Sequence, residues 1–147
     1  MAQKQKTQEL VETMEEWFMK LPPLPKGGRD AIVQITPWIA LIFGILGVLA
    51  GLAGFGVLAA LSPFIALGNG FSGAAGSLVG AALSLVASAM LLAAFPGTNK
   101  RRMQGWTLLF WSEGFSTVAA VVSFSLTGVL VSLIGFYLLF QIKSYYK

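Results

Sequence analysis

Between Asp30 and Lys143 the chain carries charge at only four positions. Three of them, Lys100, Arg101 and Arg102, are contiguous, and the fourth is Glu113. The other formal charges sit in the tail before residue 31 and in the last five residues. Long charge-free apolar runs separated by one basic loop restrict the fold more than any other feature. A water-soluble domain of 147 residues has too little interior to hide such runs, whereas lipid can solvate them directly. Composition agrees: 56% of residues are hydrophobic and 11% charged, against roughly 25% charged in soluble domains. The expected fold class is an all-α membrane protein, with four transmembrane helices in a bundle preceded by a short amphipathic helix.

Residues 1–30 form a polar tail. Within it, residues 7–21 place Leu10, Val11, Met14, Trp17, Phe18 and Leu21 at helical spacing, opposite Glu9, Glu12, Glu15 and Glu16. Pro22, Pro23 and Pro25 followed by Gly27 and Gly28 end this helix. Such a helix docks on the protein's own surface, lies in the membrane interface with Trp17 and Phe18 inserted, or binds a partner. Four glutamates on its polar face weigh against the interfacial reading, because the adjoining leaflet is usually anionic. The polar start argues against a cleavable signal peptide, so the first apolar run reads as an uncleaved span.

The transmembrane domain covers residues 31–147, with spans at about 31–62, 77–95, 104–124 and 127–143. The core of the first, Trp38 to Leu61, is about 36 Å long, enough to cross roughly 30 Å of hydrocarbon with some tilt. Pro63 is expected to close it. Residues 63–76, uncharged and rich in small residues, read as a loop, and Pro96-Gly97 end the second span. The Lys100–Arg102 loop should lie in the cytoplasm, and four spans then place both termini on that side. Lys20, Lys26 and Arg29 before the first span, and Lys143 and Lys147 after the last, argue independently for the same orientation. So do the boundary aromatics Trp38, Trp106, Tyr145 and Tyr146. The implied location is a cell (plasma or inner) membrane.

Small residues form seams. Gly44, Gly47, Gly51 and Gly54 recur at intervals of three and four on the first span; Gly80 and Ser84 lie on the second and Gly135 on the fourth. They allow close helix approach, either within the bundle or between copies.

Glu113 is the exceptional residue. Counting from Trp106, its carboxyl lies about 10 Å deeper, where an acid costs roughly 2.5 to 3.5 kcal/mol on insertion scales. It must face the bundle or a watery cleft, or carry a proton. Ser116 follows on roughly the same face, and equal depth on the other spans brings Gly44, Ser88 and Gly135 into one layer, with Tyr137 nearby. Glu113, Ser88, Ser116 and Tyr137 are therefore the candidate proton or ion site. The alternative is a neutral, hydrogen-bonded glutamate that specifies helix pairing.

Other chemistry is not supported. The chain has no Cys and no His, and no metal-ligand cluster, phosphate loop or dinucleotide fingerprint. Ser112 and Glu113 diverge by about 100° around a helix. No enzyme activity, cofactor or metal is expected. Basic groups flanking apolar runs mark topology, so nucleic acid is not an expected partner; the lipid bilayer is, with a second copy or another membrane protein beside it.

The segments ITPWIALIFGILGVLAGLAGFG, GWTLLF and GFYLLFQIKSYYK resemble a group of small, uncharacterised bacterial multi-pass membrane proteins. The group shares a Pro-Trp start to a Gly-rich first span, a Gly-Trp start to the third and an aromatic-basic ending. The resemblance implies class and carries no activity. Small multidrug exporters also have four spans and one membrane glutamate, but theirs lies in the first helix. Rotary-ATPase proteolipids space their glycines by two. The expectation is a small scaffold or accessory subunit, with a proton- or cation-coupled transporter or channel centred on Glu113 as the alternative.

Overall fold

The computed structural model describes residues 2–147, the side chains of Ala2 and Asn69 apart. Every regular element among the described residues is helical. These are α1 (Ala2–Met19), α2 (Lys26–Asn99), α3 (Met103–Val122) and α4 (Leu126–Ile142), followed by the 3-10 turn Lys143–Tyr145. Three stretches are long and apolar enough to cross a membrane: Lys26–Gly68, Gly70–Asn99 and Leu126–Tyr145. Helix α3, at 20 residues, equals the last of these in length, but Gln104, Ser112 and Glu113 dilute its apolarity.

Helix α2 is a hairpin of two limbs. Its 74 residues are interrupted at Gly70, where φ is 77° and ψ 166°, a backbone region that glycine enters without penalty. The limbs are antiparallel: Gly44 lies against Leu92, Gly47 against Ser88 and Gly51 against Leu85. The expected break at Pro63 does not occur, and 63–76 is helix up to and beyond Gly70. Pro63 has no N–H to give the Ala59 carbonyl, but the Ser62 hydroxyl donates to that same oxygen at 2.8 Å. With the freed acceptor satisfied by a neighbouring hydroxyl, a proline is tolerated inside an apolar helix. The outer face of the first limb exposes Ile39, Ile42, Phe43, Leu46, Leu49 and Leu52, a surface suited to acyl chains rather than water.

Helices α3 and α4 form a second, shorter hairpin packed against the Gly70–Asn99 limb. The turn between α2 and α3 is a close backbone crossing. A Cβ added to Gly97 would lie 2.7 Å from both Cα and N of Gly105, so the two glycines are required for the approach. The Lys147 N–H donates to the Arg101 carbonyl (3.0 Å), and the Met103 N–H donates to the Lys147 carbonyl (2.9 Å). These two bonds fasten the end of the chain to the basic loop.

Helix α1 docks on the second hairpin. Val11, Met14 and Phe18 pack against an aromatic core that includes Trp106, Phe110, Phe136 and Phe140. The Phe18 and Phe140 rings stack with centroids 5.4 Å apart. Beyond α1, the Leu24 N–H donates to Gln141 Oε1 at 3.3 Å, and the Tyr137 hydroxyl donates to the Pro22 carbonyl at 2.6 Å. Trp17 and Leu10 remain exposed on α1.

Candidate functional site

Glu113 sits on the face of α3 turned to α4, and glycine makes its seat. A Cβ added to Gly135 would lie 2.5 Å from Glu113 Oε1 and 2.7 Å from Cδ, so the carboxyl rests on bare α4 backbone. Ser132, a buried residue one turn earlier on α4, lies beside the carboxyl. Thr117 Oγ1 donates at 2.8 Å to the Glu113 backbone carbonyl and so does not serve the carboxyl. No Lys or Arg lies on α3 beyond the first residues of the loop, nor on α4 before its end. The carboxyl is therefore packed into the α3–α4 interface on one glycine notch, with a buried serine beside it. Small and polar residues of this kind let two membrane helices pack closely.

The remaining candidates do not converge on it. Ser88 packs on the site of the absent Gly47 side chain and donates to the Ser84 carbonyl at 2.9 Å. It belongs to the interface between the two α2 limbs. Ser84 contributes that carbonyl. Ser116 is part-buried and its hydroxyl makes no hydrogen bond among the described residues. Tyr137 is committed to Pro22 and holds the linker after α1. Gly44, Gly47 and Gly51 make the limb-to-limb seam. Gly80 meets Ser123 at the end of α3, and nothing approaches Gly54 within 4 Å.

Several residues do more than their sequence roles suggest: Ser132 reads only as a small residue of the fourth-span seam with Gly128 and Gly135, and Trp106 only as a boundary aromatic. Ser132 lies three residues before Gly135, the spacing that shares a helix face. Ser112, buried, donates at 2.7 Å to the Ala87 carbonyl and pins α3 to the Gly70–Asn99 limb. Trp106 Nε1 donates at 2.8 Å to the Leu139 carbonyl. The Gly97–Gly105 crossing was signalled only by small residues flanking a short loop.

A second polar cluster lies at the charged end of the bundle. The Lys143 ammonium pairs with the Glu15 carboxylate of α1 and lies 5.4 Å from the centre of the Trp106 ring. Arg29, on the first turn of α2, buries its Nε without a hydrogen-bond partner in the protein. A buried donor left unmatched costs about 1–3 kcal/mol. Tyr146 is buried close by, and burial pushes its phenol above the usual range. Around these groups opens a cavity of about 440 Å³.

Among the described residues no group of His, Cys, Asp and Glu is placed to hold a metal ion. No known protein family, curated protein or solved structure matches the chain.

Proposed function

We propose that the chain is a non-enzymatic integral membrane protein, a small scaffold or accessory subunit that presents a fixed helical frame within the bilayer. Two helical hairpins embed from one side, with the Lys100–Arg102 loop and both chain ends at the cytoplasmic face. The observation that carries the reading is the seat of Glu113. Its carboxyl is packed on the bare backbone of Gly135 in the α3–α4 interface, a structural use rather than a station on a conduction path. The lipid-facing α2 surface and the docked α1 are what such a component would offer to lipid, to a second copy or to another membrane protein.

Reconstitution of wild type and Glu113→Gln in proteoliposomes tests this. Glutamine still hydrogen-bonds, so fold and assembly should persist, and neither protein should support pH-driven flux. A pH-dependent flux present in wild type and lost in Glu113→Gln would replace the scaffold with a coupled carrier. Orientation is checked separately, because the chain has no cysteine. Asn99→Cys should react with an impermeant maleimide only from the cytoplasmic side.

A further inference from the structure

The cavity at the charged end combines two kinds of wall. Arg29, Lys143, Ser144 and Tyr146 line one part, and Met19, Met103 and Phe140 another. The first group supplies donors. The Arg29 guanidinium has a buried Nε that nothing in the protein engages, and a guanidinium fork matches the oxygens of a phosphate diester. The second group is apolar and suits a glycerol backbone and the first carbons of an acyl chain. One acid, Glu15, also lines the cavity, and it already lies on Lys143. Among the described residues that line the cavity, Arg29 is thus the cation without an acidic partner. At about 440 Å³ the space falls in the range of small-molecule sites. It opens where the apolar spans give way to the basic loop and the chain end, the level at which headgroups lie.

We propose that this cavity binds the phosphodiester headgroup of an anionic phospholipid, gripped by Arg29 and flanked by Lys143 and Ser144. The lipid would wedge between α1, the start of α2 and the end of α4. Its headgroup meets the Arg29 guanidinium where that side chain lines the cavity, and its acyl chains leave past Met19 and Phe140 toward the bilayer. Basic pockets on the cytoplasmic side of helix bundles recognise acidic lipids by this chemistry. A free phosphate would satisfy Arg29 but would leave the apolar wall unused.

The inference rests on the membrane reading above, and one preparation separates the two failures. A chain recovered in the aqueous phase without detergent fails the membrane reading before lipid is added. For the full chain in dodecyl maltoside, thermal unfolding is followed on titration with dioctanoyl phosphatidylglycerol, dioctanoyl phosphatidylcholine or inorganic phosphate. Phosphatidylglycerol should raise the unfolding temperature saturably, and the other two should not. Arg29→Gln should weaken phosphatidylglycerol binding roughly tenfold to a hundredfold, the loss of a charged hydrogen-bonding group. Lys4→Gln, the same charge change at an exposed site on α1, should leave it unaltered. If Arg29→Gln does not fold, Arg29→Lys is read in its place; it keeps the charge, drops the fork and should still weaken binding. Equal stabilisation by phosphatidylcholine, or an unchanged response in the Arg29 variant, overturns the proposal. So does an equal loss in Lys4→Gln. Stabilisation by inorganic phosphate alone assigns the cavity to a soluble anion and overturns the lipid assignment.

Discussion

Gly135→Ala is the sharpest probe of how Glu113 is held. The added methyl would lie 2.5 Å from Oε1, 2.7 Å from Cδ and 3.1 Å from Oε2, where ordinary contact begins near 3.4 Å. Either the carboxyl swings out of its seat, or α3 and α4 separate by a few tenths of an ångström. Overpacking of this kind costs about 1–3 kcal/mol. The intrinsic helix preference of alanine over glycine, about 1 kcal/mol, acts in the opposite sense, so the net loss should be up to about 2 kcal/mol. The clash has one source, and a double-mutant cycle isolates it. In a Glu113→Ala background the methyl meets no carboxyl, and Gly135→Ala should become neutral or stabilising. The coupling should therefore reach about 1–3 kcal/mol. Reversible unfolding in mixed micelles, followed by far-ultraviolet circular dichroism, gives the four free energies. Additivity within about 0.5 kcal/mol would show that the carboxyl does not rest on Gly135, and the assignment of Glu113 as an α3–α4 register group would fall with it.

Four further outcomes follow from packing and burial. Gly44→Ala should destabilise by about 1–3 kcal/mol, since its methyl meets Leu92 backbone at 2.8 Å. Gly54→Ala, with open space around it, should be neutral or stabilising by up to about 1 kcal/mol; the same unfolding assay reads both. Tyr137→Phe removes the hydrogen bond to Pro22 and should release the linker after α1, seen as faster proteolysis between residues 20 and 25 at a stability cost of about 0.5–1.5 kcal/mol. Burial keeps the Tyr146 phenol protonated to higher pH in the folded chain than in the unfolded one. The folded state then binds more protons above about pH 10, the ordinary phenol value, and stability falls as pH rises through that range. Tyr146→Phe should flatten that decline in an alkaline unfolding series.

The sequence spoke clearly where chemistry changes abruptly along the chain. The prolines at 22–25 and the Lys100–Arg102 loop separate the helices, whereas the stop expected at Pro96-Gly97 is overrun, since α2 continues to Asn99; α3 and α4 run Met103–Val122 and Leu126–Ile142 where the apolar runs suggest 104–124 and 127–143. Pro63 misled because a proline's effect depends on whether its orphaned carbonyl finds another donor, and Ser62 supplies one. The amphipathic segment starts before residue 7 because nothing polar in residues 2–6 opposes helix. Counting equal depth in from the span ends put Gly135 and Ser88 in the same layer as Glu113. Depth fixes height along the bundle axis and leaves azimuth free. Gly135 faces the carboxyl, while Ser88 faces the other limb of α2. Burial of Arg29 Nε had no sequence signal at all, since it arises where α1, α2 and α4 meet.

The two hairpins differ in reach, and this bears on how the frame sits in lipid. Both start at the same end, where Gly97 crosses Gly105. From Trp38 to Gly68 the long hairpin extends about 45 Å, whereas from Trp106 to Val122 the short one extends about 25 Å. Consistently, Gly80 meets Ser123, so the limb from Gly70 to Val79 continues about 15 Å past the end of α3. The protruding tip exposes Leu67 (85%) and Phe71 (84%), and the short turn exposes Phe124 (94%); neither tip carries a charge. A tilt near 40°, the upper end of the observed range, brings the long hairpin close to roughly 30 Å of hydrocarbon. The parallel short hairpin then ends about 10 Å inside the far boundary. Its turn suits that depth: the Ser123, Phe124 and Ser125 N–H groups donate to Ala119, Val121 and Ala120 carbonyls, and Ser125 Oγ accepts from the Gly128 N–H. Backbone groups satisfied this way tolerate lipid. Spin labels at Phe124→Cys and Leu67→Cys should therefore differ. The first should relax mainly with oxygen, and the second should be more accessible to a water-soluble nickel chelate. Equal access of the chelate to both labels would place the two turns at one depth, and the long hairpin would then have to leave an apolar tip in water.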